Sequence, residues 1–258
     1  MSVIQTDLSQ HVALVTGASG GIGKATCLKL AEMGCNIAVH YNANVEAAEA
    51  LVESLQQKGV RAKAFQADLN DYDEVRRLHQ SVVSKFGHPL ILFNNAGSTL
   101  SQHGLKSASD VSIEDFEKTW RSNCGSAFLL TQLCLEEMQN RGWGRIIFCS
   151  SVAAFNGGVV GPHYASSKSA LHGLIHWLAG AYSQKGITVN GVAPALIQDT
   201  AMLPGSNEEL AKSMFLPLEI PMGRLGKPEE VAETVIWMIK TGYVTNKVIG
   251  VDGGFFAQ

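Results

Sequence analysis

Seven short runs that are apolar on both faces alternate with amphipathic segments along the chain, and this pattern restricts the fold more than any other feature. The runs are His11–Thr16 (HVALVT), Asn36–Tyr41, Val60–Gln66, Leu90–Phe93, Arg145–Ser150, Thr188–Val192 and Val248–Val251. A strand buried on both faces belongs in a parallel sheet covered on both sides, and parallel neighbours need a crossover, usually a helix. Apolar spacing places helices at Gly21–Met33, Val45–Lys58, Asp71–Phe86, Ile113–Asn140, Ser166–Tyr182 and Pro228–Ile239. The first two are closed by Gly34 and Gly59, as a left-handed C-terminal residue requires. Right-handed crossovers then give an α/β, doubly wound Rossmann-type sheet of about seven strands. The chain has 258 residues with no repeat and no linker, so one domain over 1–258 is expected. Ligands of such sheets sit at the carboxyl ends of the strands.

Composition removes several function classes. Apolar residues make up 46% and charged residues 17%, which suits a large core and excludes disorder. The net charge of −3 lacks the basic excess of nucleic-acid or anionic-membrane binders. Cys27, Cys35, Cys124, Cys134 and Cys149 are odd in number and contain no CxxC pair, so buried reduced thiols are expected, with neither a disulfide framework nor a metal site. MSVIQTDLSQ has no basic start and no apolar run, unlike a signal peptide, and no stretch reaches the ~18 apolar residues of a membrane span. The expected location is cytoplasmic.

Between the first strand and first helix lies Thr16-Gly17-Ala18-Ser19-Gly20-Gly21-Ile22-Gly23. Free N–H groups and the positive helix end meet there, so a pyrophosphate fits against Gly17, Ser19, Gly21, Ile22 and Gly23. The bland alternative is a structural turn. The end of the second strand bears on cofactor choice. An acidic residue ~20 residues past the glycines normally holds an unphosphorylated ribose. Here the stretch is His40-Tyr41-Asn42-Ala43-Asn44, and the first carboxylate is Glu46 inside the next helix. Without a carboxylate to repel a 2′-phosphate, NADP (NADPH) is favoured over NAD. No arginine is present, so His40, Asn44 and Lys24 are the candidate phosphate partners, and Tyr41 joins them among the cofactor-binding residues.

Several motifs coincide: TGASGGIG at 16–23, Asp68-Leu69 after the third strand, NNAG at 94–97, Asn123 in a helix, Ser151 after a strand, and Tyr164-Ala-Ser-Ser-Lys168. Together they resemble the short-chain dehydrogenase/reductase family over essentially the whole chain. Through IPMGRLGKPEEVA at 220–232 and VDGG at 251–254 the chain is most similar to the 3-oxoacyl-[acyl-carrier-protein] reductase type. Residue chemistry supports the same reading. Reducing a ketone needs a hydride on carbon and a proton on oxygen, and Tyr164 is the candidate acid. Bringing a phenol near neutrality takes ~4 kcal/mol. Lys168, four residues on and on the same helical face, supplies roughly that at ~4 Å and an effective dielectric of ~20. Ser151 can hydrogen-bond the carbonyl and the developing alkoxide. Taken singly, the Tyr–Lys pair is equally a helix-surface contact, the serine a cap and the asparagine a packing residue.

The resemblance implies further roles. Asn123 would hold a water in a proton relay to Lys168. Asp68 would accept from the adenine amino group beside the Leu69 backbone. Asn95, Ala96 and Gly97 would lie against the adenosine ribose, where small residues permit close approach. Tyr164 and Lys168 would also contact the cofactor. Pro194 would line its site, with the Ile197 backbone on the carboxamide and Thr200 on the carboxamide or a phosphate. A homotetramer pairing Ile113–Asn140 and Ser166–Tyr182 between subunits is likewise implied. One departure is Ala195, where relatives commonly carry glycine; alanine cannot easily adopt a positive φ. The segment up to Thr200 is also one residue longer than in many relatives.

His163 is tempting as a second acid, against a pocket-lining or solvent-facing role; His172 and His176 read as packing residues. Residues 198–222 form the expected lid, with Met202, Leu203, Met214, Phe215 and Leu216 as an adaptable apolar surface; a small satellite helix is the plainer alternative. Phe155, His103, Val159 and Val160 are expected to complete the pocket. The substrate is then a small-molecule carbonyl compound, a ketone or 3-oxoacyl compound with an apolar portion. The competing readings are an NAD-linked alcohol or polyol dehydrogenase and a cofactor-sensing scaffold without turnover.

Overall fold

A computed structural model describes residues 6–102, 105–200, 202–203 and 220–256. Its strands are β1 (Val12–Val15), β2 (Asn36–Tyr41), β3 (Ala62–Gln66), β4 (Ile91–Asn94), β5 (Gly144–Cys149), β6 (Ile187–Pro194) and β7 (Lys247–Val251). They form one sheet in the order β3-β2-β1-β4-β5-β6-β7, and every neighbouring pair is parallel. The helices are α1 (Gly21–Glu32), α2 (Val45–Gln57), α3 (Tyr72–Phe86), α4 (Ile113–Trp120), α5 (Ser126–Arg141), α6 (Ala153–Asn156), α7 (Pro162–Tyr182) and α8 (Pro228–Lys240).

The strands are apolar throughout because each feeds two cores. Ala13 and Val15 pack with Phe93 and Ile147 on the side of α1, α2 and α8. Leu14 packs with Leu92, Phe148, Leu171 and Ile175 on the opposite side, under α3, α5 and α7. All five cysteines are buried and free. Strand order reverses at β1, which pairs β2 on one side and β4 on the other. That reversal opens a crevice beyond the carboxyl ends of β1 and β4.

Three elements depart from the sequence expectation. The helix expected to begin at Ser166 begins at Pro162, with Gly161 before it at φ 152. Proline suits the first helical position, where no N–H partner is needed, and the earlier start puts Tyr164 in the first turn. The helix expected over Ile113–Asn140 is split by a π turn at Arg121–Gly125. A π turn changes the hydrogen bonds from i→i−4 to i→i−5 within an otherwise continuous helical run, and no residue type marks it in the sequence. The short α6 was not expected at all. Smaller differences at other element ends, such as β3 starting at Ala62 instead of Val60, are within the usual fraying. No helix among the described residues is long and apolar enough to cross a membrane.

Candidate active site

The glycine turn opens the crevice. Gly17 adopts φ +60, and a Cβ on Gly21 would collide with the Asp199 carbonyl oxygen. Gly20 caps α1 without any side-chain hydrogen bond, which leaves first-turn N–H groups for an anion. Gly17, Ser19, Gly21 and Ile22 line a cavity of about 800 Å³. Gly23 does not line it. A Cβ there would meet the Gly17 oxygen at 2.5 Å and Asn95 Nδ2 at 2.9 Å, so Gly23 serves the close packing of helix on strand. The NNAG segment ties the turn to β4. Asn95 Nδ2 donates to the oxygens of Thr16 (2.9 Å) and Gly17 (3.1 Å), while Thr16 Oγ1 accepts from the N–H groups of Asn95 and Ala96, both at 3.0 Å. Asn95, Ala96 and Gly97 all line the cavity.

At the β3 end of the crevice, Asp68 and Leu69 line the cavity with Asn70, which sequence reasoning missed. Asp68 Oδ1 accepts from the Asn70 N–H at 2.9 Å and from Asn70 Nδ2 at 3.0 Å, orienting the carboxylate.

His40 is corrected in role. Although it borders the cavity, its Nδ1 accepts from the Gly17 N–H at 3.0 Å and its Nε2 lies 3.1 Å from the Ala67 oxygen. With both nitrogens engaged and the ring 2% exposed, it holds the glycine turn and has no free donor for a phosphate. Burial pushes its pKa down to about 4, against an ordinary 6.5. The unfolded chain therefore takes up a proton that folded His40 refuses. Stability is expected to fall by up to ~3 kcal/mol as pH drops from about 6.5 to about 4. Urea unfolding against pH checks this: His40→Gln should flatten that portion of the curve relative to wild type, and an identical slope in both contradicts it. Tyr41 does not line the cavity either; it packs on the core beside α1 and α2. Lys24 is exposed and absent from the lining. Asn44 does line it, with Asn42 and Ala43, while its Oδ1 caps α2 through the Ala47 N–H at 2.9 Å.

Tyr164 and Lys168 come together at the carboxyl end of β5. Both are buried, at 5% and 2% exposure, and both line the cavity beside Ser151. Tyr164 Oη is directed at Met202 Sδ at 3.8 Å, and the neighbouring Ser151 hydroxyl accepts from the Ala153 N–H at 3.2 Å. Lys168 Nζ donates to the Cys149 oxygen at 2.7 Å and lies 5.7 Å from the Tyr164 ring centroid. A Cβ on Gly97 would come within 3.0 Å of that ammonium nitrogen, so the glycine makes room for it. The electrostatics differ from the sequence expectation. Burial, and then the Cys149 thiol, push Tyr164 well above the ordinary phenol range, and only the neighbouring Ser151 hydroxyl pulls it down. Lys168 itself is lowered by burial. The pair as it stands holds a protonated phenol.

Asn123 sits in the π turn and does not line the cavity. Its Oδ1 accepts from the Ser98 N–H at 2.7 Å, and its Nδ2 donates to the Ser98 oxygen and to Ser167 Oγ, both at 3.0 Å. It thus locks the loop after β4 to the residue preceding Lys168. His163 is neither pocket-lining nor solvent-facing: it is fully buried, with Nε2 3.4 Å from the Thr99 oxygen. His172 Nε2 lies 2.7 Å from Ser150 Oγ, and His176 Nδ1 lies 2.6 Å from Asn246 Oδ1. Among the described residues no group of three or more His, Cys, Asp or Glu is placed to hold a metal ion.

Pro194 at the end of β6 and, beyond it, Ile197 and Thr200 line the cavity. Ile197 bridges Gly226 in parallel fashion through the flanking Leu196 oxygen and Gln198 N–H, each at 3.0 Å. In that pattern the N–H and oxygen of Ile197 itself face the other way. Thr200 Oγ1 is occupied locally, donating to the Ile197 oxygen at 3.0 Å and accepting from the Leu203 N–H at 3.2 Å. Ala195 has no positive φ; Asp199, at φ 55, takes the left-handed position instead, so the missing glycine leaves no strain at 195. Val159, Val160, Met202 and Leu203 line the apolar end of the cavity, joined by Val152, Ile220 and Phe255. Phe155 lies outside the cavity, stacked on Phe256. His103 and the lid residues Met214, Phe215 and Leu216 lie outside the described residues.

An uncapped helix end over a glycine cradle, an oriented carboxylate at one end of the crevice and a Tyr–Lys–Ser group at the other fit a nicotinamide dinucleotide. The comparisons agree. The chain is 36% identical over 246 residues to a 3-oxoacyl-[acyl-carrier-protein] reductase FabG of Staphylococcus aureus, covering 95% of this chain and 97% of that one. It is 33% identical over 252 residues to an L-rhamnose 1-dehydrogenase (NADP(+)) of Thermoplasma acidophilum, covering 96% and 97%. Among solved structures, a blue fluorescent protein from a metagenomic library in complex with NADPH superposes with a TM-score of 0.86 at 35% identity, over 96% of this chain and 98% of that one. The short chain dehydrogenase family model matches residues 11–211, and the chain belongs to that family of oxidoreductases.

Proposed function

We propose that the protein is an NADPH-dependent reductase of ketones or 3-oxoacyl compounds. The observation that carries this reading is the buried Tyr164 beside Ser151 and Lys168 on one wall of the crevice, where burial raises the phenol and keeps its proton on. When bound, a dihydronicotinamide supplies the hydride for the carbonyl carbon. Ser151 donates a hydrogen bond to the carbonyl oxygen and polarises it. Tyr164 then transfers its Oη proton to that oxygen, giving the alcohol and leaving a phenolate. The Lys168 ammonium faces that new negative charge in a dry site, where a charge–charge attraction is worth several-fold more than in water. Asn123 acts through Ser98 and Ser167, holding loop and helix in register. Burial that keeps the phenol protonated suits reduction, which needs an acid at the start.

Substrate chemistry follows from the walls. Among the described residues, Asp68 at the adenine end and Lys168 are the only formally charged side chains lining the cavity. The substrate end offers valines, methionine and leucine, which favours an apolar carbonyl compound over a polyol. Loss of NADPH-dependent turnover across a panel of 3-oxoacyl thioesters and activated ketones, with the protein folded, would overturn the assignment.

The preference for NADP over NAD rests on the rim made by Asn42, Ala43 and Asn44 at the N-terminus of α2. It holds no carboxylate to repel a 2′-phosphate, and the helix end attracts one. Asn44→Asp is the direct test, because aspartate caps a helix as well as asparagine and leaves the fold intact. NADPH affinity is expected to fall ~10-fold or more while NADH affinity holds or rises. Fluorescence titration of both cofactors reads this, and tighter NADH than NADPH binding by the wild-type chain reverses the choice. The homotetramer follows the same reading: Phe128 on α5 and Trp177 on α7 are 37% and 66% exposed, apolar surface suited to pairing with another copy.

A further inference from the structure

The segment after β7 closes the substrate end of the crevice with an aromatic residue held from behind. Asp252 makes the turn that directs it there. Its Oδ1 accepts from the Gly254 N–H and its Oδ2 from the Phe256 N–H, both at 3.0 Å, and the Phe255 N–H bonds the Asp252 oxygen at 3.2 Å. Gly253 and Gly254 turn at φ +64 and +85, and a Cβ on Gly253 would strike Ile220 Cγ2 at 2.7 Å. The Met222 N–H bonds the Gly253 oxygen at 3.1 Å, so this turn is fastened to the 220–222 segment. The result is that Phe255 faces the cavity with Val159, Met202 and Leu203.

Phe256 points the other way and forms a stack. Its ring lies 5.3 Å from that of Phe155 with an interplanar angle of 12°, and Phe155 in turn lies 4.7 Å from the His172 ring. His172 Nε2 meets Ser150 Oγ at 2.7 Å, and Ser150 Oγ donates to the Lys168 oxygen at 3.2 Å. Ser150 immediately precedes Ser151. A continuous chain of contacts therefore runs from the tail to the backbone that carries Ser151 and Lys168.

We propose that Phe255 is a specificity-determining residue that sets the depth of the alkyl end of the substrate pocket, and that Phe256, stacked on Phe155, is the positioning residue that holds it there. This rests on the reductase reading above. An aromatic ring across an apolar channel accommodates a short alkyl portion in contact and obstructs a long one. Its removal lengthens the channel by about the reach of the ring, and each added or missing methylene in such a pocket alters discrimination by ~10-fold or more. Backbone hydrogen bonds to Asp252 fix the path of the segment, while the Phe256 stack fixes its distance from α6 and α7.

The test measures kcat and KM with NADPH on acetoacetyl and 3-oxodecanoyl thioesters. In Phe255→Ala the long-to-short ratio of kcat/KM is expected to rise ~10-fold or more, mainly through KM; Phe255→Leu should give an intermediate rise. Phe256→Ala should shift the ratio the same way by less, and Phe256→Tyr, which keeps the stack, should leave it at the wild-type value. An unchanged ratio in Phe255→Ala overturns the proposal. A second measurement needs no turnover: displacement of bound anilinonaphthalene sulfonate by straight-chain alkanols of increasing length. The longest effective alkanol should increase in Phe255→Ala, and an unaltered series overturns the wall. If the wild-type chain reduces neither thioester while the alkanol series shifts, the reductase reading falls and the wall stands.

Discussion

Tyr164→Phe is expected to lower kcat by ~10³-fold or more while NADPH binding and thermal stability remain near wild type. The substitution removes one oxygen and leaves the ring packed among Ala153 and Ala165. What is lost is the buried hydroxyl that, among the described residues, stands beside Ser151 and Lys168 as a proton donor. General acid catalysis is worth ~10²–10⁴-fold, and an alkoxide in a dry site has no alternative proton at hand. Ser151 alone would still polarise the carbonyl, so residual activity above the uncatalysed rate is expected. Steady-state kinetics beside a cofactor titration decide the point. Full turnover in the variant would remove Tyr164 from the chemistry, whereas loss of NADPH binding along with turnover would assign it to cofactor holding.

Much of this was legible in the sequence because the signals involved are local or periodic. Strands apolar on both faces declare a doubly covered parallel sheet, and Ala13 and Leu14 do feed opposite cores. Gly17, Ser19, Gly21, Ser151, Tyr164 and Lys168, which local spacing singles out, line one cavity. What escaped depends on partners distant in the chain. His40 is a polar residue at a strand end, and nothing local reveals that Gly17 and Ala67 occupy both its nitrogens. The π turn carries no compositional mark. Phe255 reaches the pocket only because Asp252 and two left-handed glycines turn the chain back. The spacing of Tyr164 and Lys168 reveals an attraction that would lower the phenol, whereas its desolvation depends on the burial that only the fold creates. The two are opposite in sign, and at Tyr164 burial is the larger, leaving the phenol raised.

Lys168→Met is expected to separate activity from stability. Lys168 is 2% exposed and donates to the Cys149 oxygen at 2.7 Å, but no carboxylate among the described residues forms an ion pair with it. An ammonium in that position carries a large desolvation penalty, which is why its pKa is lowered. Methionine fills nearly the same volume without the charge. Losing one hydrogen bond to Cys149 costs about 1 kcal/mol, and relief from burying an unpaired charge exceeds that, so the variant should be more stable by roughly 1–3 kcal/mol. Turnover should fall ~10²-fold or more, because the phenolate left on Tyr164 then has no positive charge to face. Chemical denaturation and steady-state kinetics on the same preparation give both readouts. A variant that is less stable and still active would mean that Lys168 serves the fold. Greater stability with lost turnover means that the chain keeps a destabilising charge at this position for the sake of the proton it helps to move.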